Sequence, residues 1–263
     1  NYGEAVASLR QFCIDHSQSA FVDDAQCLVA ESLSRTGDGA GYLAAVQAFR
    51  QQWPQSSLLP GLELNAAIKQ HYNQHNYSAM LAAMRAFEQE YPEHKLTGRA
   101  SYYIVRCLLE TRQLEDFSQA VDDFAARYPQ NPELEELRFN QALVPYEQHN
   151  LDQGIERLDS YIAAHPDSPF VLTAQKMQAY ACLEKVRAIL KASPKDLGAK
   201  DYVIKARALI SNYQVKAAAL LERSDLSPDR RLDIELERYE VWGMPLGNPA
   251  LIGPAAQKYL DEN

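Results

Sequence analysis

The segment AVDDFAARYPQ, residues 120–130, decides the fold of this chain, because copies of its pattern recur at a nearly constant spacing. The copies are AVQAFRQQWPQ at 45–55, AMRAFEQEYPE at 83–93, GIERLDSYIAAHPDS at 154–168 and, less closely, SLRQFCID at 8–15. The closing prolines are Pro54, Pro92, Pro129 and Pro166, at spacings of 38, 37 and 37 residues. A fixed period of this length is typical of a repeat protein.

Each copy predicts one amphipathic helix. Its apolar residues fall at steps of three and four, as in Val121, Phe124 and Tyr128, which places them on one face of a helix. The proline then ends the helix, since it has no amide hydrogen and disfavours helical angles in the residue before it. Between successive prolines there is room for one more helix, which we predict at Leu62–His75, Gly98–Arg112, Glu133–His149 and Phe170–Leu183. Each repeat is therefore expected to be a helical hairpin.

A polar turn is expected between the two helices of each hairpin. His75-Asn76-Tyr77, Gln113-Leu114 and His149-Asn150-Leu151 occupy this place. Asparagine tolerates the left-handed backbone that a helix end requires, so the asparagines are the expected turn residues. The opening residues, Asn1 to Ala5, match the same turn, and a half-hairpin cannot cover its own apolar face. We therefore expect the natural protein to continue upstream.

The pattern loosens after Pro166. Phe170–Leu183 with Val186–Ala192 still predicts a hairpin with a short second helix. Further helices are expected at about Ala199–Leu221, Pro228–Val241 and Pro254–Leu260. Residues 1–193 are thus predicted to be tandem hairpins, and residues 194–263 divergent repeats or a helical cap. A separate small domain is the alternative for the second region.

Composition excludes several classes of function. The formal charge of −9 argues against nucleic-acid binding, which requires clustered Lys and Arg. Apolar runs such as Ala217–Leu221 are far shorter than the roughly 20 residues of a membrane-spanning helix. Four widely spaced cysteines, without a CxxC pair, do not form a zinc motif.

Known catalytic and cofactor motifs are missing from the sequence. It has no HExxH, GxSxG, P-loop or dinucleotide fingerprint. The glycine-rich stretch at 37–41 does not have the spacing of a phosphate loop and is interpreted as a turn. His71 and His75 stand four residues apart but lack a third ligand. We therefore expect no catalytic residue, no metal site and no cofactor.

The hairpin with an aromatic residue in its second helix and a closing proline resembles the tetratricopeptide repeat. The 37-residue period and the aromatic-proline ending look like the bacterial repeats of outer-membrane-assembly lipoproteins, Tol-associated coordinators and exopolysaccharide-export scaffolds. The chain departs from the family where a small residue is usual early in the second helix, since Ala5 is followed at equivalent positions by Tyr42, Met80, Phe117 and Gly154. The resemblance implies an all-α, right-handed superhelical solenoid of antiparallel hairpins.

The resemblance also implies a partner-binding groove. The first helices of the hairpins line the concave face in this family, and its groove positions correspond here to Asn65, Lys69, Tyr72, Arg99, Tyr102, Arg106, Phe139, Leu143 and Tyr146. Arginine and aromatic side chains make large contributions to binding, and a local basic stripe would attract an acidic peptide. The alternative is that the tyrosines pack between helices and the charges are only solvated.

The expected function is a non-catalytic scaffold that binds a protein or peptide, within a bacterial cell-envelope assembly. One alternative is the non-catalytic helical arm of a larger envelope enzyme that processes peptidoglycan or polysaccharide. Another is the ligand-sensing helical domain of a regulator. The periplasm is the expected compartment, where Cys13 and Cys27 on consecutive helices could pair, and the cytoplasm with four free thiols is the alternative.

Overall fold

The computed structural model describes residues 1–192 and 199–222 together with Arg231 and Ile234. These residues are all-helical and contain no strand, which confirms the all-α class. The chain divides into two compact units, residues 1–131 and 132–263. The helices are α1 Tyr2–Asp15, α2 Val22–Thr36, α3 Gly39–Gln52, α4 Leu59–Gln70, α5 Tyr77–Glu90, α6 Thr97–Glu110, α7 Leu114–Arg127, α8 Leu134–Glu147, α9 Leu151–Ala164, α10 Val171–Ala192 and α11 Ala199–Leu221.

The predicted second helices are present and uniform in length. The helices α1, α3, α5, α7 and α9 each contain 14 residues. Their first residues, at positions 2, 39, 77, 114 and 151, keep the period of 37 or 38 residues found in the sequence. The predicted helix at Ala199–Leu221 is confirmed by α11. Most of 223–263 lies outside the described residues, so the prediction for 194–263 stays a prediction.

One aromatic contact ends each of these five helices. The residue after the helix donates its amide hydrogen four residues back, and its ring packs on the ring of that earlier residue. The pairs are Phe12–His16, Phe49–Trp53, Phe87–Tyr91, Phe124–Tyr128 and Tyr161–His165, with ring centroids 4.9 to 5.2 Å apart. Before each of the four closing prolines the backbone leaves the helical region, as at Tyr128 with φ −131° and ψ 58°.

The prediction that asparagine is the left-handed residue of the turn inside each hairpin is wrong. The left-handed residues are Gly37, His75, Arg112 and His149. In the two turns that contain an asparagine, the left-handed residue is therefore the histidine just before it. At each turn two amide hydrogens bond back to carbonyl groups three and five residues earlier, as His75 to Tyr72 and Asn76 to His71, which is a Schellman motif. Asn76 and Asn150 instead begin the next helix, where the side-chain oxygen accepts a hydrogen bond from the amide three residues on.

The prediction of a hairpin within residues 170–192 is wrong. The segment forms one continuous helix of 22 residues, α10. The repeat places the left-handed turn residue at position 186, which is valine, and a β-branched residue strongly disfavours that backbone. With neither glycine nor proline between 171 and 192, nothing in the sequence ends the helix earlier.

Each unit has its own core. In unit 1, Val29, Phe49 and Leu59 are buried beside Tyr42, whose hydroxyl donates to the Leu62 carbonyl oxygen at 3.0 Å. In unit 2, buried residues of α9, α10 and α11 pack together, Ile155, Leu172, Cys182 and Tyr213 among them. The residues early in the second helices that depart from the family pattern, Tyr42, Met80, Phe117 and Gly154, are all buried. Their size is therefore a packing feature.

Candidate partner-binding surface

The first helices α4 and α6 contact each other through three of the predicted groove positions. Arg99 Nη1 on α6 donates to Asn65 Oδ1 on α4 at 3.4 Å. Tyr72, seven residues after Asn65, lies just beyond α4, and its ring contacts that of Tyr103 with centroids 4.9 Å apart. Consecutive hairpins thus contact each other at these positions.

Four tyrosines lie close together here, and we call them the tyrosine surface: Tyr72, Tyr77, Tyr102 and Tyr103. Tyr103 contacts both Tyr72 and Tyr102, and Tyr72 also contacts Tyr77, each in an edge-to-face arrangement at 4.9 to 5.5 Å. All four are half-buried, so each ring is held by neighbours and still offers area to solvent. The Arg99 guanidinium stands over the Tyr103 ring at 5.9 Å and remains exposed.

Tyr103 and Tyr77 were missed by the sequence reasoning, although Tyr103 is the residue at which the surface converges. A signal for Tyr103 was present, because Arg99 and Tyr103 are four residues apart and therefore share a helix face. Projecting one family register onto α6 selected Tyr102 and passed over its neighbour. Tyr77 begins the second helix α5, outside the set of first-helix positions.

The other predicted cations of unit 1 make contacts of their own. Lys69 Nζ stands 5.5 Å from the centre of the Tyr42 ring and donates to the Ser34 carbonyl oxygen at 3.5 Å. Arg106 pairs with Glu110 on the same helix at 3.5 Å, and its side chain is largely buried. Lys69 and Arg99 are therefore the exposed positive groups of this face.

In unit 2 the predicted positions are more enclosed. Phe139 is only 6% exposed and stacks on Phe170 with centroids 5.0 Å apart, so it is a core residue and not a surface one. Leu143 is half-buried against the same cluster. The Tyr146 hydroxyl is 3.4 Å from Glu184 Oε1, and burial raises the pKa of this phenol. Of the three, Tyr146 keeps a polar tip near the surface.

The cysteines show no activated thiol. All four have free thiols in this structure. Burial, assisted for Cys27 by the carboxylates of Glu31, Asp24 and Asp23, raises the pKa of Cys27 to about 11. Burial likewise raises the pKa values of Cys107 and Cys182 to about 11. Because the thiolate is the nucleophile, these groups are held in their unreactive form at neutral pH.

The histidines singled out in the sequence form no metal centre. His75 Nδ1 lies 2.7 Å from the Tyr77 hydroxyl, next to the left-handed turn. Across residues 1–192 and 199–222 no three His, Cys, Asp or Glu side chains are grouped as metal ligands would be. None of the helices in those ranges has the length and apolar character needed to cross a membrane.

Comparison with protein-family models gives no match for this chain. A search of curated proteins gives no match either.

Proposed function

We propose that this chain is a non-catalytic interaction scaffold of the tetratricopeptide type, whose hairpins stack as a right-handed solenoid and whose tyrosine surface binds a protein or peptide. The main support for the proposal is that the four rings of the tyrosine surface contact one another beside the exposed Arg99. The hydrogen bond between Arg99 and Asn65 and the ring contact between Tyr72 and Tyr103 support the stacking.

The chemistry of this surface suits protein recognition. Tyrosine presents a large rigid area at a small cost in side-chain entropy, and its hydroxyl bonds to polar groups at the edge of an interface. Tyrosine and arginine are enriched among the residues that dominate binding energy. Mutual ring contacts hold the four side chains in place before a partner arrives, which lowers the entropy lost on binding.

Charge favours an acidic partner. Arg99 and Lys69 are exposed on adjacent first helices of a chain whose net charge is −9. A locally positive face on an acidic body attracts negative groups. The proposed ligand is therefore an acidic segment with apolar or aromatic residues that pack on the tyrosines. The repeat's aromatic-proline ending supports a bacterial envelope assembly, in the periplasm, as the setting.

Affinity capture from the source cells tests the proposal. The bait is the whole chain in three forms: native, Arg99→Glu, and Arg85→Glu as the control, since Arg85 is exposed on the second helix α5. We expect one partner to be lost with Arg99→Glu and retained with Arg85→Glu, and its recovery from the native bait to fall as salt is raised. Equal capture by all three baits would contradict the assignment of the site.

A further inference from the structure

Charged side chains close the junction between the second and third hairpins. Arg50 on α3 pairs with Glu63 on α4 and with Glu90 on α5. The Tyr91 hydroxyl donates to the second oxygen of Glu63 at 2.7 Å. Four residues from three consecutive helices and the turn after α5 thus fill the space where the hairpins meet.

The next junction uses the same positions with the charges reversed. Glu88 takes the place of Arg50, and Arg127, at the position of Glu90, pairs with it at 3.7 Å. Ser101, at the position of Glu63, donates to Glu88. A partly exposed ion pair is therefore the rule at these two junctions of unit 1, and its polarity is reversed between them.

The first junction breaks this rule. The equivalent positions hold Cys13, Gln26, Gln52 and Trp53, none of them charged. A short thiol stands where the next junction has a long arginine, and a solvent-open cavity of about 550 Å³ remains. The other residues that line it are Arg10, Ile14, Ser17 and Val22. The volume lies within the range of small-molecule sites, roughly 300 to 1,000 Å³.

The lining defines the chemistry of a ligand. Ile14, Val22 and Trp53 supply apolar walls, and the two glutamine amides are neutral hydrogen-bonding groups. Arg10 is the single charged residue of the lining, is exposed, and has no ion-pair partner within residues 1–192. We propose that this cavity binds a small carboxylic acid with an apolar body, its carboxylate on Arg10 and its body against Trp53 and Val22. The site is separate from the tyrosine surface and does not depend on the function proposed for it.

Tryptophan fluorescence tests the proposal directly. The chain has two tryptophans, so Trp242→Phe leaves Trp53 as the sole reporter. The probes are 4-phenylbutyrate and its neutral amide, 4-phenylbutanamide, titrated to 10 millimolar. We expect saturable changes in Trp53 emission, with the acid bound about threefold to fivefold more tightly, as for an exposed charge pair. Arg10→Met should remove that preference, and Arg85→Met should keep it.

A variant that fills the cavity provides a second test of the proposed site. Cys13→Arg with Gln26→Glu and Gln52→Glu copies the Arg50 junction, and should abolish the response to both probes. A second measurement uses the native chain and needs no variant. 4-phenylbutyrate should slow the alkylation of Cys13, followed by mass spectrometry, and leave the alkylation rate of Cys107 unchanged. Absence of saturable binding, unslowed Cys13 alkylation, or an undiminished response in a folded triple variant would overturn the site. Equal affinity for acid and amide would overturn the role of Arg10.

Discussion

A single left-handed residue sets each turn between the two helices of a hairpin. Three of the four such residues are not glycine, namely His75, Arg112 and His149. Such residues are held in a backbone that costs L-amino acids about 1 to 2 kcal/mol. The cost is offset by the two Schellman hydrogen bonds and, after His75 and His149, by the side-chain cap of the next helix.

Exchanging glycine at these turns should change stability in opposite directions. Gly37 has φ +83° and nothing within 4 Å of an added Cβ, so Gly37→Ala should cost about 1 kcal/mol through the backbone alone. His149→Gly should stabilise by up to about 1 kcal/mol, reduced by the greater freedom of glycine in the unfolded chain. Urea unfolding of both variants measures this. Equal shifts of the two midpoints in the same direction would contradict it.

Thiol reactivity should report the raised pKa values. With a pKa of about 11, Cys27 carries about 100-fold less thiolate near pH 8 than a free thiol of pKa 9. Alkylation of Cys27 by iodoacetamide should therefore be slow at pH 8 and rise about tenfold per pH unit up to pH 10. The urea-unfolded chain is the control and should react fast at pH 8. Matching rates in the folded and unfolded chains would be incompatible with the burial described.

At the scale of single helices, most of the second helices begin with a residue whose side chain caps the helix, but α7 does not. Asn76 and Asn150 accept hydrogen bonds from amides three residues on, whereas Gln113 at the start of α7 makes no such bond. Asn76→Ala should therefore destabilise by about 1 kcal/mol. Gln113→Asn should stabilise, by about 0.5 kcal/mol, because it supplies the missing cap. Urea midpoints of the two variants, with Asn150→Ala for comparison, test this; a loss of stability in Gln113→Asn would count against it.

Two glycines near the starts of first helices offer a matched pair. A Cβ added at Gly98 would lie 3.1 Å from the ring of Tyr128, which closes the same hairpin, while one at Gly61 would meet only Leu96 at 3.9 Å. Gly98→Ala should cost about 1 kcal/mol through overpacking. Gly61→Ala should gain a few tenths to about 1 kcal/mol from helix propensity. Thermal unfolding compares them, and a stabilised Gly98→Ala would show that the Tyr128 ring yields without cost.

Helix bounds were predicted well where the aromatic residue at the helix end recurs. The prediction failed at residues 170–192, where a hairpin was expected without that ending. The aromatic-proline ending located α3, α5, α7 and α9, because proline and the aromatic contact act locally, and the apolar pattern of SLRQFCID located α1. Val186 broke the pattern, since a valine in the turn position cannot take the left-handed backbone and α10 runs on. The asparagine roles were displaced by one residue because asparagine suits both a helix cap and a left-handed turn.

At the scale of the whole chain, the sequence predicted which helices carry the candidate surface but only part of its composition. Asn65, Tyr72, Arg99 and Tyr102 lie near one another, and their role in binding stays a prediction. Phe139 was misplaced because the register that fits α4 and α6 turns this side chain of α8 into the core. Tyr103 and Tyr77 depend on contacts between helices, which a single helical projection does not contain. The stacking of hairpins into a solenoid stays a proposal.

Site-specific photocrosslinking in the source cells shows whether a partner binds at the tyrosine surface. The crosslinker p-benzoylphenylalanine replaces Tyr102 on the tyrosine surface or, as the matched control, Gln47, which is exposed on the second helix α3. We expect one defined adduct from position 102, lost when Arg99→Glu is added, and no such adduct from position 47. The same adduct from position 47, or an adduct from 102 unaffected by Arg99→Glu, would contradict binding at the tyrosine surface.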